Sequence, residues 1–95
     1  MTCYVDELKP VTKTAVWPYP TACHLLCDGE GYEGNVPDID ELRAFAKRLE
    51  LKLEWEQNRN RAFVHFDLNS RKRRQALAHG AVEVTAREIV RKFKG

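Results

Sequence analysis

The residues best suited to chemistry form a short run in which His65 and Asp67 flank Phe66. Side chains alternate between the two faces of an extended strand, so His65 and Asp67 are expected on the same side, facing one ligand. Histidine titrates near neutral pH, and a neighbouring carboxylate can orient its ring. The pair therefore predicts either general acid–base chemistry or two metal ligands. The structural alternative is a buried histidine that is hydrogen-bonded to a carboxylate.

Two further polar residues could complete such a site. Asp6 ends the first predicted strand, and His24 lies within the second. Polar site residues tend to converge at strand ends in α/β folds, which makes both residues candidates for ligand binding. The sequence contains neither H-E-x-x-H nor paired C-x-x-C spacing, so it identifies no metal and no cofactor.

Four consecutive cations, Arg71 to Arg74, open a predicted helix. The helix macrodipole already places about half a positive charge at that end, so the cations are unfavourable there unless an anion is bound. The Ser70 hydroxyl, the free backbone N–H groups and the guanidinium groups of Arg71, Arg73 and Arg74 together predict a phosphate site. A solvated basic face is the alternative, because consecutive helical residues point in different directions.

These features support three functional hypotheses. The favoured one is a binding domain for a phosphate-bearing small molecule, with a nucleotide as the favoured ligand. It would use Ser70, Arg71, Arg73 and Arg74 at the anion, with Asp6, His24, His65 and Asp67 nearby. The second is a small phosphodiester hydrolase or nuclease, in which His65 is the base and Asp67 orients it or holds a metal. The third is a nucleic-acid or protein interaction module that uses the basic C-terminal helix together with the Arg71 to Arg74 cluster. Whether the chain is an enzyme stays open.

Hydrophobic spacing predicts the elements that must position these residues. Strands are predicted at 3–6, 22–27, 51–55, 62–68 and 81–84, and helices at 38–51, 69–79 and from Thr85 onward. Capping-box patterns occur at Asp38 with Glu41 and at Thr85 with Glu88. The proline-containing segment 9–20 and the glycine-containing segment 28–37 are predicted loops. The pattern indicates an α/β or α+β domain of four or five short strands and three helices, with the strand order open.

Length and composition define the class of protein. The chain of 95 residues, 43% hydrophobic and with a net charge of +2, predicts one folded domain over residues 1–95. It lacks any apolar run long enough for a membrane span, which favours a cytoplasmic protein without a membrane partner. Cys23 and Cys27 are expected to be reduced thiols in the core. Trp17 and Tyr19, which flank Pro18, could form a stacking surface for a base, but these two residues and Trp55 are expected to pack against the core.

A set of short motifs, taken in order, resembles a known family. The set is Tyr4-Val5-Asp6, Cys23-His24-Leu25, Glu41-Leu42 with Phe45-Ala46, Trp55 with Gln57, His65-Phe66-Asp67-Leu68, Arg73 and Gly80-Ala81-Val82-Glu83-Val84. It is similar to domain of unknown function 4031, a small bacterial and phage family, over nearly the whole chain. The resemblance implies a compact α/β domain in a bacterial cytoplasm, or in the host cytoplasm if phage-encoded. It implies no particular activity.

Overall fold

The computed structural model describes residues 2–28, 39–57 and 64–93. Within these ranges the chain forms an α+β domain with five strands and three α-helices, as the sequence predicts. The elements are β1 (Thr2–Val5), β2 (Lys9–Pro10), β3 (Thr21–Asp28), α1 (Ile39–Arg48), a 3₁₀ turn (Leu53–Trp55), β4 (Phe66–Leu68), α2 (Ser70–Ala78), β5 (Val82–Glu83) and α3 (Ala86–Phe93).

The sheet is built around β3. Leu25 of β3 is opposite Val5 of β1 and also opposite Phe66 of β4, so these two antiparallel neighbours lie on opposite edges of β3. β2 pairs with the first two residues of β3, and β5 adds to β1 in parallel. The sheet is therefore mixed. The predicted loop from residue 9 begins with this short strand, and the Val11 N–H closes the remainder by donating to the Pro20 carbonyl oxygen at 3.0 Å.

The two faces of the sheet have different coverings, which follows from the alternation of its side chains. Cys23 and Leu25 of β3 point to the face covered by α1 and α2. There the core contains Leu42, Phe45, Ala46, Leu49, Phe66, Leu68 and Ala76. On the opposite face, Leu26 packs with Ile89 of α3. His24 lies between Cys23 and Leu25 in β3, so its side chain is on this second face, and it is exposed.

The helix ends follow the capping chemistry expected from the sequence. Thr85 and Glu88 form the predicted capping box, in which the Glu88 N–H donates to Thr85 Oγ1 at 3.1 Å and the Thr85 N–H donates to Glu88 Oε1 at 3.3 Å. Gly80 ends α2 with a positive φ of 99°, and the Ala81 N–H bonds the Ala76 carbonyl oxygen behind it. The other predicted cap, Asp38, lies outside the described residues, as do most of segment 28–37 and the predicted turn at 58–60. None of the described helices is long and apolar enough to cross a membrane.

The predicted strand at 51–55 is wrong. The Trp55 N–H donates to the Lys52 carbonyl oxygen at 3.0 Å and the Glu56 N–H to that of Leu53 at 3.1 Å, which closes a 3₁₀ turn. Leu51 and Glu56 are buried, whereas Leu53 and Trp55 are exposed. The alternating pattern therefore does not correspond to a half-buried face. The turn brings the chain back so that Gln57 can pair with His65.

The prediction for the cysteines is wrong for Cys27. Cys3 and Cys27 face each other in the register of β1 and β3, with their Cα atoms 3.9 Å apart, and they are joined in a disulfide. Cys23 is the buried free thiol that the sequence predicts. Pairing was not foreseeable from spacing, because only the strand register brings two residues separated by 24 positions into contact.

Candidate functional site

Three polar side chains from two adjacent strands meet on the face of the sheet that carries α3. His24 of β3 is directly opposite Asp67 of β4, and His65 precedes Asp67 by two residues and so shares its side. Asp67 Oδ1 lies 3.4 Å from His65 Nε2 and 3.9 Å from His24 Nε2. The two imidazole rings are 4.8 Å apart between centroids and nearly perpendicular. We call His24, His65 and Asp67 the histidine–aspartate cluster.

The backbone positions of the cluster are fixed by the sheet. The His65 N–H donates to the Gln57 carbonyl oxygen at 3.1 Å, and the Gln57 N–H donates in return at 2.8 Å. This isolated bridge holds His65 beside the regular part of β4. The ligand atoms that His24, His65 and Asp67 offer all lie within 4.8 Å of one another. The cluster is therefore compact enough for its three members to contact a single atom.

Asp6 fixes the orientation of His24 from behind. Asp6 is 2% exposed, and its Oδ2 lies 2.8 Å from His24 Nδ1. The His24 backbone N–H donates to Oδ1 of the same carboxylate at 2.6 Å. Ionised Asp6 can only accept, so Nδ1 carries a hydrogen and Nε2 is the ring atom turned toward Asp67. The sequence placed both residues at strand positions, and the structure brings them into contact.

The Asp6–His24 contact shifts the pKa of both groups. Burial by itself would raise the pKa of Asp6, but hydrogen bonds from the His24 ring and backbone, together with the His24 charge, hold that pKa below its ordinary value. The hydrogen bond to Asp6 raises the pKa of His24, although burial opposes this shift. The pair is thus stabilised in its charged form.

A large cleft opens beside the cluster. Its volume is about 980 Å³, and its lining includes His24, Asp67 and Asp6. Three aromatic side chains contribute to the wall: Trp17 and Tyr19 from the loop before β3, and Trp55 from the 3₁₀ turn. Trp55 is 48% exposed and Tyr19 is 41% exposed, so the prediction that they pack against the core is wrong for both, and Trp17 is half-buried. The sequence signal for this wall was the pair Trp17 and Tyr19 on either side of Pro18.

The chain was also compared with known proteins. A family described as "Protein of unknown function (DUF4031)" matches residues 3–95. The chain belongs to this family. No curated protein and no solved structure matches the chain. The DUF4031 match runs from β1 to α3, so Asp6 and the whole histidine–aspartate cluster lie within it.

In this DUF4031 member, Arg73 supports the site from the other side of the sheet. Its Nε donates to the Asp6 carbonyl oxygen at 2.9 Å, and its Nη2 lies 3.2 Å from Glu83 Oε1. Burial raises the pKa of the neighbouring Cys23 thiol to about 12, with a further contribution from Asp6, while Arg73 acts to lower it. Through its contacts with Asp6 and Glu83, Arg73 links α2 to the end of β1 and to β5.

The other residues of the predicted phosphate site spread out around the start of α2. The Asn69 side chain, and not Ser70, caps the helix by accepting from the Lys72 N–H at 2.8 Å. Arg71 and Arg74 are exposed. Among the described residues that line the cleft, α2 contributes Lys72 but not Ser70, Arg71, Arg73 or Arg74. The sequence reasoning thus missed Lys72, although it lies inside the basic run that drew attention to this helix.

Proposed function

We propose that the cleft binds a phosphate-bearing small molecule that carries an aromatic ring, with a nucleotide as the favoured ligand. The observation that carries the proposal is the aromatic wall of Trp17, Tyr19 and Trp55 in the same cleft as His24 and Asp67. A volume of about 980 Å³ is at the upper end of the range typical of small-molecule sites. Such a cleft accommodates a base, a sugar and phosphates together.

The aromatic wall suits a flat ring. Trp17 Nε1 donates to the Thr21 carbonyl oxygen at 3.3 Å, and its ring meets Tyr19 edge to face at 5.1 Å, so this side of the cleft is ordered before a ligand arrives. Trp55 leaves much of its ring exposed, with the Lys52 ammonium 5.6 Å from its centroid. Stacking of a base on an aromatic side chain contributes about 1–3 kcal/mol.

The phosphate end would lie toward the histidine–aspartate cluster. Lys9 and Lys72 line the cleft, and the hydrogen bond to Asp6 raises the pKa of His24, which also lines it. Lys72 is anchored, because its Nζ donates to the Leu49 carbonyl oxygen at the end of α1. These groups offer a phosphate charge-assisted hydrogen bonds, which are about twice as strong as neutral ones.

Nucleotide titration of Trp55 variants tests this proposal. Binding of AMP and ATP to the tag-free protein is measured by calorimetry, once with a chelator and once with a divalent metal salt, and ribose 5-phosphate serves as the ligand without a base. We expect Trp55→Ala to weaken nucleotide binding at least fivefold, from the loss of stacking. Leu53→Ala, an exposed apolar truncation in the same turn, is the matched control and should stay within twofold. Equal affinity for all three proteins, or no nucleotide binding at millimolar concentration, would contradict the proposal.

Hydrolysis of a phosphodiester is a second candidate, favoured by the Asp6–His24 contact. A carboxylate on Nδ1 fixes the ring and leaves Nε2 available for proton transfer, while His65 and Asp67 supply the second acid–base pair expected from the sequence. Short oligonucleotides and a chromogenic phosphodiester, assayed with divalent metals, test this candidate. Turnover must fall in His65→Gln; cleavage that persists unchanged in this variant comes from a contaminant and rejects the idea.

Exposed Arg71 and Arg74 keep a nucleic-acid partner as a third candidate. Phosphate-backbone recognition predicts an affinity that falls steeply with salt, in proportion to the number of phosphates contacted. Retention of oligonucleotide binding at high salt would exclude this mode and leave a protein partner.

We assign this function to a bacterial cytoplasm, or to the host cytoplasm for a phage-encoded copy, on the strength of the family resemblance. Disulfides persist mainly in oxidising compartments, so Cys3 and Cys27 are expected as thiols in that location and as the disulfide once the protein is purified in air. Alkylation in living cells before lysis measures whether Cys3 and Cys27 are thiols there. A Cys3–Cys27 disulfide trapped in the cell would argue against the cytoplasm.

A further inference from the structure

The histidine–aspartate cluster has the donor set of a transition-metal site. Two imidazoles and one carboxylate suit divalent first-row ions such as Zn²⁺, and catalytic zinc sites use three protein ligands with a further position open. The pairing of β3 with β4 fixes the Cα positions of His24 and Asp67, and the bridge to Gln57 holds His65 next to β4. A site built on paired strands keeps its ligands close before the ion binds.

The distances agree with this assignment. Metal bonds of about 2.0–2.1 Å at the tetrahedral angle place two ligand atoms about 3.3 Å apart. Asp67 Oδ1 is 3.4 Å from His65 Nε2 and 3.9 Å from His24 Nε2. The second separation is too long for a hydrogen bond, so Asp67 does not occupy His24 Nε2. All three ligand atoms lie within 4.8 Å of one another, so movement of the half-exposed His24 ring by about an ångström closes them around one ion.

Asp6 supplies the outer support that metal-binding histidines use. A carboxylate on the far ring nitrogen fixes both the tautomer and the orientation of a ligating histidine. Asp6 Oδ2 is 2.8 Å from His24 Nδ1, and its other oxygen accepts from the His24 backbone N–H at 2.6 Å. The ring is therefore held in the orientation that turns Nε2 toward Asp67.

The charge of the cleft supplies an independent reason for a bound cation. Two lysines line it, but so do four carboxylates, Asp6, Glu7, Glu54 and Asp67. A phosphate held by Lys9 and Lys72 would still lie close to this excess of negative charge. A divalent ion at Asp67 would reverse the local sign and could bridge the protein to phosphate oxygens. This charge argument rests on the proposed nucleotide function, whereas the ligand geometry does not.

We propose that His24 Nε2, His65 Nε2 and Asp67 Oδ1 bind one divalent first-row transition ion of the Zn²⁺ class, with Asp6 as the positioning residue behind His24. The remaining coordination positions are open to solvent and to the cleft, since His24 and Asp67 both line it. The ion is bound by neutral imidazole and carboxylate groups and replaces water, so no redox or group-transfer step is involved.

Zinc titration of the tag-free, chelator-treated protein tests this site without any nucleotide. Competition with a chromophoric chelator should give one Zn²⁺ per chain. His65→Gln and Asp67→Asn should each weaken binding at least a hundredfold, and Asp6→Asn should weaken it about 10- to 100-fold, which is typical of an outer-shell partner. His79→Gln is the matched control and should stay within twofold, because His79 lies at the end of α2 next to Phe45.

A measurement on the wild-type protein removes dependence on variant folding. Imidazole ¹⁵N spectra should show the Nε2 signals of His24 and His65 moving on addition of Zn²⁺, with those of His79 unchanged. Co²⁺ should give a spectrum without a thiolate charge-transfer band. Absence of stoichiometric zinc binding, movement of His79 signals, or equal zinc affinity in the cluster variants would overturn the proposal. Loss of nucleotide binding with intact zinc binding would instead reject only the nucleotide function.

Discussion

Removal of the buried Asp6 carboxylate should destabilise the protein more than removal of an exposed carboxylate does. Its two oxygens accept from the His24 backbone N–H at 2.6 Å and from the His24 ring at 2.8 Å, and the carboxylate is buried. A hydrogen bond to a charged group contributes about 1.5–3 kcal/mol. The His24 ring is half-exposed and can form a hydrogen bond to water instead, so the ring hydrogen bond contributes little to the stability that Asp6 provides. We expect Asp6→Ala to lower the free energy of unfolding by about 3 kcal/mol, and Asp6→Asn by about 1–2 kcal/mol because the amide oxygen still accepts from the backbone.

Urea unfolding in the presence of a chelator, followed by tryptophan fluorescence, measures this loss. Glu83→Gln is the matched control. It also removes a carboxylate that contacts a charged partner, Arg73, but the Glu83 side chain is 65% exposed. An exposed ion pair contributes about 1 kcal/mol or less, so this variant should remain close to wild type. The reasoning is refuted if Asp6→Ala and Glu83→Gln are equally stable.

The pH dependence of the same difference follows from the direction of the two pKa shifts. The lowered pKa of Asp6 gives stabilisation that is present above the ordinary value of about 3.9 and is lost as the pH falls through the folded value. The raised pKa of His24 gives stabilisation that is present below about 6.5 and is lost as the pH rises through its folded value. The difference between wild type and Asp6→Asn should therefore be largest near pH 5–6. A difference that is constant from pH 3 to pH 9 would contradict the assigned pKa directions.

Two further predictions concern the backbone and the cysteines. Glu50 has a φ of 61° and Gly80 a φ of 99°, a region that favours glycine. We therefore expect Glu50→Gly to stabilise the protein by about 0.5–1 kcal/mol and Gly80→Ala to destabilise it by about 1 kcal/mol. Equal urea midpoints for these variants and the wild type would contradict this expectation. Within the described part of the chain, a Cβ added at Gly80 meets no atom within 4 Å apart from those of its immediate chain neighbours, so its cost comes from the dihedral angle. Burial and the pKa of about 12 should protect Cys23 from iodoacetamide in the folded protein. Mass spectrometry after denaturation should show one label without reductant and three with it; three labels without reductant would disprove the Cys3–Cys27 disulfide.

Much of the site geometry could be read from the chain because it depends on local periodicity. The two-residue spacing of His65 and Asp67 was enough to place them on one side, and Thr85 with Glu88 identified a helix start. These features are encoded by neighbouring residues. The β-branched and aromatic residues before Asp6 also predicted a strand ending there, and Asp6 follows β1 directly, although the sequence offered no reason for its carboxylate to contact His24 in particular.

The features that could not be predicted from the sequence depend on the register between strands and on where the chain reverses direction. The disulfide requires Cys3 to lie opposite Cys27, and a shift of one residue between β1 and β3 would separate them. The alternation from Leu51 to Trp55 is equally compatible with a strand and with a turn that exposes Trp55. Long-range pairing of Gln57 with His65 decides between the two, and no local pattern reports it.

The loop between β2 and β3 has a consequence for how ligand preference could change. It supplies Trp17 and Tyr19, yet its two ends are tied together by the bond between Val11 and Pro20. The loop can therefore be exchanged for one of another length or sequence while the paired strands that carry His24 and Asp67 remain in place. Selection, or a designer grafting loops, could retune what the cleft recognises while leaving the cluster beneath it unaltered.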